Sequence, residues 1–166
     1  MTTAYPGLKG VLFLSLFALP AIASAQGGIA VGSRAPDAKV ETVDGKAASL
    51  SRYIGKSPLL IQFWATWCGN CKALEPQLSA AAKKYKGKVA FVGVAVGVNQ
   101  SATLVKRYAE KHRLPLAVYY DRTGDAADRY DVPATSYIVV IDRAGKVVYT
   151  GLGAEQNIDA AIRKAL

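Results

Sequence analysis

Phe63-Trp64-Ala65-Thr66-Trp67-Cys68-Gly69-Asn70-Cys71-Lys72 holds both cysteines of the 166-residue chain, three positions apart. An apolar, β-like run, Leu59-Leu60-Ile61-Gln62-Phe63-Trp64, leads in, and a helical pattern leads out. If a helix begins at the first cysteine, positions i and i+3 share one side of its first turn. Their Cα atoms then lie roughly 5–5.5 Å apart, inside the range of about 4.4–6.8 Å that a disulfide tolerates. So small a ring gains only about 2 kcal/mol from chain entropy, against about 4.7 kcal/mol for a hundred-residue loop. A static staple is expected to close a longer loop, so this pair suits a bond made and broken in use. Free N–H groups and the positive end of the helix dipole favour a thiolate at Cys68. Cys71, one turn in, is expected to be the more buried, resolving thiol.

The N-terminus carries a different pattern. Lys9 precedes an apolar run from Val11 to Leu19, and Pro20 and Ala23-Ser24-Ala25 follow. That is the order of a secretory signal peptide with a small-x-small cleavage site. The run falls short of the roughly 20 residues of a comfortable membrane span. Residues 1–25 are therefore expected to be a signal peptide and 26–166 one domain with a sizeable core. Cleavage gives a periplasmic or secreted protein; an uncleaved segment would anchor it to the membrane, facing the periplasm. Outside the reducing cytosol a cysteine pair is either a static bridge or an electron carrier.

The chain has a formal net charge of +9, of which the signal segment contributes only Lys9. The densest basic run, Lys83-Lys84-Tyr85-Lys86-Gly87-Lys88, sits where a helix should end, and cations there suit the dipole. Aromatic and basic residues do not interleave, which argues against nucleic acid. Attraction to acidic partners or anionic surfaces follows from the charge without being specific.

Along the chain, Lys39–Thr42, Asp44-Gly45 and Lys46–Leu50 predict a hairpin, and Ser51–Ile54 a helical turn. Leu59–Trp64 predicts a strand covered on both faces, and Lys88–Val96 a second. Between them a helix from Cys68 presents Leu74, Leu78, Ala81, Ala82 and Tyr85, with Pro76 expected to kink it. Asn99 or Ser101 caps a helix to about Arg113, with Leu104, Val105, Tyr108 and His112 at helical spacing. A strand over Ala117–Tyr120, a short helix over Thr123–Tyr130, a hairpin across Arg143-Ala144-Gly145 and a helix over Glu155–Leu166 complete the chain. The class is α/β with a mixed central sheet.

With those residues assembled, the chain resembles the thioredoxin-fold superfamily, and within it the exported TlpA/ResA-like thiol–disulfide oxidoreductases. The Cys-x-x-Cys stretch with Pro76 carries the resemblance, together with the inserted helix and strand near Ser101–Tyr120, Tyr130-Asp131-Val132 and Ile141-Asp142-Arg143-Ala144-Gly145. It implies a central mixed β-sheet flanked by helices, with an N-terminal β-hairpin and an inserted helix–strand unit. It further implies Cys68 as attacking thiol, Cys71 as resolver, and a groove formed by Trp67 and the loop before the last hairpin. Gly69 and Asn70 would tune the potential. No cofactor beyond the Cys68–Cys71 disulfide is expected. The partners implied are protein thiols or disulfides and an upstream electron donor or acceptor, met by a monomer acting as a reductase.

Three positions depart from the family pattern. The loop proline, in cis in the family, falls at Ser136, preceded by Thr135, in a count from Tyr130; Pro133 lies three residues early. Either Ser136 takes that site or the loop shifts to bring Pro133 to the cysteines. Gln62 stands where thioredoxins carry a buried aspartate, and an amide cannot take a proton. Leu74 replaces a glutamate common in the branch; Glu75, about 100° around the helix, is either its substitute as acceptor of the Cys71 proton or a solvated surface residue. His112, the single histidine, lies between Lys111 and Arg113 and is not placed beside Cys68. A rival reading makes the chain an exported copper-handling protein using the same two thiols, which needs another ligand near Cys68. A peroxidase of the same fold has no need of the second cysteine. Cytochrome c maturation, general thiol reduction and oxidative repair are all compatible with the motif.

Overall fold

A computed structural model describes residues 1–2 and 27–166 of the chain. The predicted signal segment, apart from residues 1–2, lies outside the described residues. The elements run β1 (Lys39–Thr42), β2 (Ala47–Ser49), a 3-10 turn (Leu50–Arg52), β3 (Leu59–Trp64), α1 (Gly69–Lys84), β4 (Ala90–Val96), α2 (Ala102–His112), β5 (Ala117–Asp121), α3 (Asp125–Arg129), β6 (Tyr137–Ile141), β7 (Val147–Leu152) and α4 (Ile158–Arg163). One seven-stranded sheet has the order β2-β1-β5-β4-β3-β6-β7. β3, β4 and β5 are mutually parallel; β6 then β7 on one flank and β1 then β2 on the other each pair antiparallel with the strand before them.

All six residues of β3 are buried, because β4 and β6 flank the strand and both its faces are covered. Leu59, Ile61 and Phe63 join a cluster with Val139, Ile141, Ala126 and Tyr130 beneath α3. Leu60 points the other way, into Leu74 and Leu78 of α1 and Ile158 and Ile162 of α4. Trp64, at the strand's end, packs with Cys71, Val105 and Tyr120 under α2. Side chains alternate across a strand, so one strand feeds all three clusters. Each large apolar side chain buried this completely contributes about 1.5–3 kcal/mol.

α1 is continuous through Pro76, with Leu74, Leu78, Ala81 and Tyr85 buried on the predicted stripe. The stripe on α2 differs from the expected one. Val105 is buried, whereas Leu104 is 46% exposed. Ala102, Val105, Tyr108 and His112 already form an i, i+3, i+4 face, and Leu104 lies about 100° away from Val105. Of the two candidate caps, Ser101 serves, its Oγ accepting from Leu104 N at 3.3 Å. α4 starts later than predicted. Asn157 caps it through Oδ1 to Ala160 N at 2.9 Å, while the Gln156 amide is drawn into the loop before β6. The end of β4 also runs close to β5: a Cβ on Gly97 would sit 2.7 Å from the Asp121 carbonyl oxygen, so only glycine fits.

Candidate redox site

The carboxyl end of β3 delivers Ala65-Thr66-Trp67 and then Cys68, which is the N-cap of α1 in extended conformation. Cys68 Sγ accepts from the Cys71 backbone N–H at 3.1 Å, taking up one of the orphan donors of the first turn. Cys68 and Cys71 are joined as a disulfide with a Cα–Cα separation of 5.3 Å, the span expected for i and i+3 at a helix start. The expected difference in burial is absent: Cys68 is 5% and Cys71 4% exposed. The bridge folds the Cys68 sulfur back over the first turn, where Trp64 and Val105 also pack.

The loop ahead of Cys68 is held by residues that the sequence did not single out. Gln100 Oε1 accepts from Thr66 N at 2.9 Å, and its Nε2 donates to Val96 O at 2.6 Å. Tyr120 Oη donates in turn to Gln100 O at 2.9 Å. Trp67 Nε1 donates to Val98 O at 3.0 Å, which leaves the indole 49% exposed beside the equally open Val98. Gly69 and Asn70 occupy the exposed first turn between the cysteines.

Across β3, Ser136 is fully buried at φ 68°, one step beyond the Phe63–Tyr137 pair and so alongside Trp64. Its N–H donates to Phe63 O at 2.9 Å and its Oγ to Gly153 O at 3.0 Å. Its carbonyl accepts from Gln156 Nε2 and Gly153 N, both at 3.1 Å. Every peptide bond among the described residues is trans, the Thr135–Ser136 bond included. Pro133 is exposed and packs on the segment after the signal region, where a Cβ on Gly27 would lie 3.2 Å from its own. Ser136, not Pro133, is therefore the residue of this loop bonded to the strand that leads to the cysteines.

The two residues at the expected carboxylate positions behave differently from a proton relay. Gln62 is buried and its Nε2 has no hydrogen-bond partner among the described residues. Leu74 is core. Glu75 is not a free surface residue: Tyr108 Oη donates to its Oε1 at 2.8 Å, and His112 Nδ1 lies 3.5 Å from its Oε2. The reason is that α2 packs over this side of α1. Tyr108 stacks on His112 with ring centroids 3.9 Å apart, and burial, aided by the Glu75 carboxylate, pushes its phenol well above the ordinary range. His112 is committed to this helix–helix contact. The described residues contain no cluster of three or more His, Cys, Asp or Glu arranged to hold a metal.

This sheet, with a redox-capable cysteine pair capping the helix after its central strand, defines a thioredoxin-like thiol–disulfide oxidoreductase of the TlpA/ResA-like kind. Residues 30–166 match the Redoxin family, and the chain belongs to it. It is 31% identical to the thiol-disulfide oxidoreductase ResA of Bacillus subtilis over 90% of this chain and 86% of that protein. It is 32% identical to the thioredoxin-like protein YneN of the same organism, over 80% of this chain and 81% of that protein. Among solved structures, a thiol:disulfide interchange protein of the thioredoxin family from Chlorobium tepidum superposes with a TM-score of 0.67 at 26% identity, covering 82% of this chain and 98% of that one. A secreted disulfide oxidoreductase of Mycobacterium tuberculosis gives 0.64 at 25% identity, over 76% and 93% of the two chains.

Proposed function

We propose that the protein is an exported reductase of partner-protein disulfides that works through Cys68 and Cys71 alone, without a further cofactor. The observation that carries this reading is the Cys68–Cys71 bridge at the N-terminus of α1, a four-residue ring at a strand–helix junction. The reduced Cys68 thiolate attacks one sulfur of a partner disulfide, and the partner's other sulfur leaves as a thiolate that takes a proton from water. Cys71 loses its proton to solvent, attacks Cys68 Sγ and displaces the partner's second thiolate. The partner gains two electrons, the Cys68–Cys71 disulfide is restored, and an upstream dithiol reduces it again. Helix-terminus stabilisation gives Cys68 a thiol pKa below the free value of about 8.5, with no histidine in the motif to assist. Trp67, Val98 and the Thr135-Ser136 loop border the approach to the sulfurs.

Export is supported by the N-terminal pattern and by the secreted relative from Mycobacterium. No helix among the described residues is long and apolar enough to cross a membrane. N-terminal sequencing of the mature protein should begin at Gln26; an intact Met1 in a membrane fraction would make it anchored instead.

The central test is a Cys71→Ala variant, which should accumulate Cys68-linked mixed disulfides visible by mass spectrometry under non-reducing conditions. Failure to trap any partner at Cys68 counts against the exchange cycle. Tight stoichiometric copper binding by the reduced protein, without disulfide reductase activity, would replace this reading with metal handling by the same thiols.

A further inference from the structure

Beside the redox centre, the start of α1 and the facing side chains of α2 border a groove of about 430 Å³ lined by Thr66, Lys72, Arg107, Tyr108, Lys111 and His112. We propose that this groove receives an acidic segment flanking the target cystine of a partner protein, and so selects substrates by charge. The inference rests on the exchange reading above. The groove starts at the chemistry: Thr66 precedes Trp67, and Lys72 follows Cys71.

Its cations are not taken up in ion pairs of the fold. Lys84 pairs with Asp159 and Lys106 with Asp44, but Lys72, Arg107 and Lys111 have no acidic partner within salt-bridge distance among the described residues. Glu75, three residues from Lys72 on α1, is already held by Tyr108 and His112. Lys72 stands in the first turn of α1, where the helix dipole disfavours a cation, and that turn carries no acid. Arg107 and Lys111 are four apart on α2, a spacing at which like charges oppose each other. Only Lys111 and His112, in the last turn of α2, suit the dipole.

One wall of the groove is a flat aromatic pair. Tyr108 and His112 are stacked with their planes within 8°, and Lys72 Nζ reaches over the Tyr108 ring at 5.9 Å. Leu104, also in the lining, is exposed, as are Trp67, next in sequence to Thr66, and Val98, which holds the Trp67 indole. A peptide lying here would present its cystine and apolar neighbours beside Trp67 and its carboxylates to the three unpaired cations. Charge complementarity of this kind sets partner choice and encounter rate.

The test uses the reduced, mature-length protein with peptides that share one cystine core but are flanked by Asp/Glu or by Asn/Gln. At low salt kcat/KM should favour the acidic peptide by roughly tenfold, a preference that shrinks in high salt. An Arg107→Gln/Lys111→Gln double variant should lose most of that ratio. A Lys83→Gln/Lys88→Gln variant, which removes the same net charge at the far end of α1, should keep it. Equal rates for the two peptides overturn the groove while leaving exchange intact, as does a ratio that both double variants lose alike. If neither peptide is reduced, the exchange reading falls and the groove falls with it.

Discussion

A buried serine at φ 68° is held in a conformation that costs of order 1–3 kcal/mol and persists only where its surroundings impose it. Four hydrogen bonds do so at Ser136, joining β3, Gly153 and Gln156. Proline would fix φ near −65° and delete the N–H that bonds Phe63 O. We therefore expect Ser136→Pro to lose about 3 kcal/mol or more in urea unfolding of the oxidised protein. Ser136→Gly, which relieves the strain but gives up the bond to Gly153, should stay within about 1 kcal/mol of wild type. A proline variant as stable as wild type would contradict the left-handed placement. The sequence located the cysteines because their chemistry and spacing are local. The serine position came from a count along the loop, but its conformation depends on strands far away in the chain. Gln100 and Gln156 were invisible for the same reason: an amide acquires a role only from the loop that the fold sets against it.

At the scale of elements, long apolar runs made β3 and β4 legible, and helical spacing did so for α1. Errors fell where tertiary contacts outweigh local pattern, as at Leu104 on α2 and at the start of α4. The connection from β4 to α2 was readable only as a turn, yet it is the scaffold of the redox loop. Gln100 satisfies both Thr66 N and Val96 O, and Val98 O takes the Trp67 indole. Gln100→Ala leaves two backbone groups without their partner, each costing about 1–3 kcal/mol where water cannot replace it. The expected result is a less stable protein in which the Thr66 amide exchanges hydrogen faster and Trp67 emission shifts. Unchanged exchange at Thr66 would show that the loop does not depend on this side chain.

For the whole molecule, carboxylates divide into two groups with opposite signs. Hydrogen bonds and ion pairs hold Glu41 (with Arg122), Asp44 (with Lys106), Asp125 (with Lys39 N and Arg129) and Asp159 (with Lys84) below their usual range. At Asp37 burial pushes upward, but bonds from Ser49 and the backbone of Ser51 and Ala38 together outweigh it. Groups depressed in the fold contribute stability above the unfolded pKa and lose it as pH falls through the folded value. Asp121 is the reverse. Burial at the end of β5, reinforced by Asp125, raises its carboxyl despite the N–H groups of Ala126 and Ala127 that it accepts. Its contribution is complete below the unfolded value of about 3.9 and is lost as pH rises through the folded one. Five depressed groups against one raised one, in a chain that gains net positive charge on acidification, make acid the destabilising direction. Asp121→Asn removes only the opposing limb. Relative to this variant, wild-type stability should therefore decline as pH rises above about 4 and level off once the folded carboxyl has ionised, on top of a constant offset for the altered cap of α3. Urea midpoints across that range read the difference directly, and a flat difference would mean that Asp121 titrates in the fold as it does in the unfolded chain.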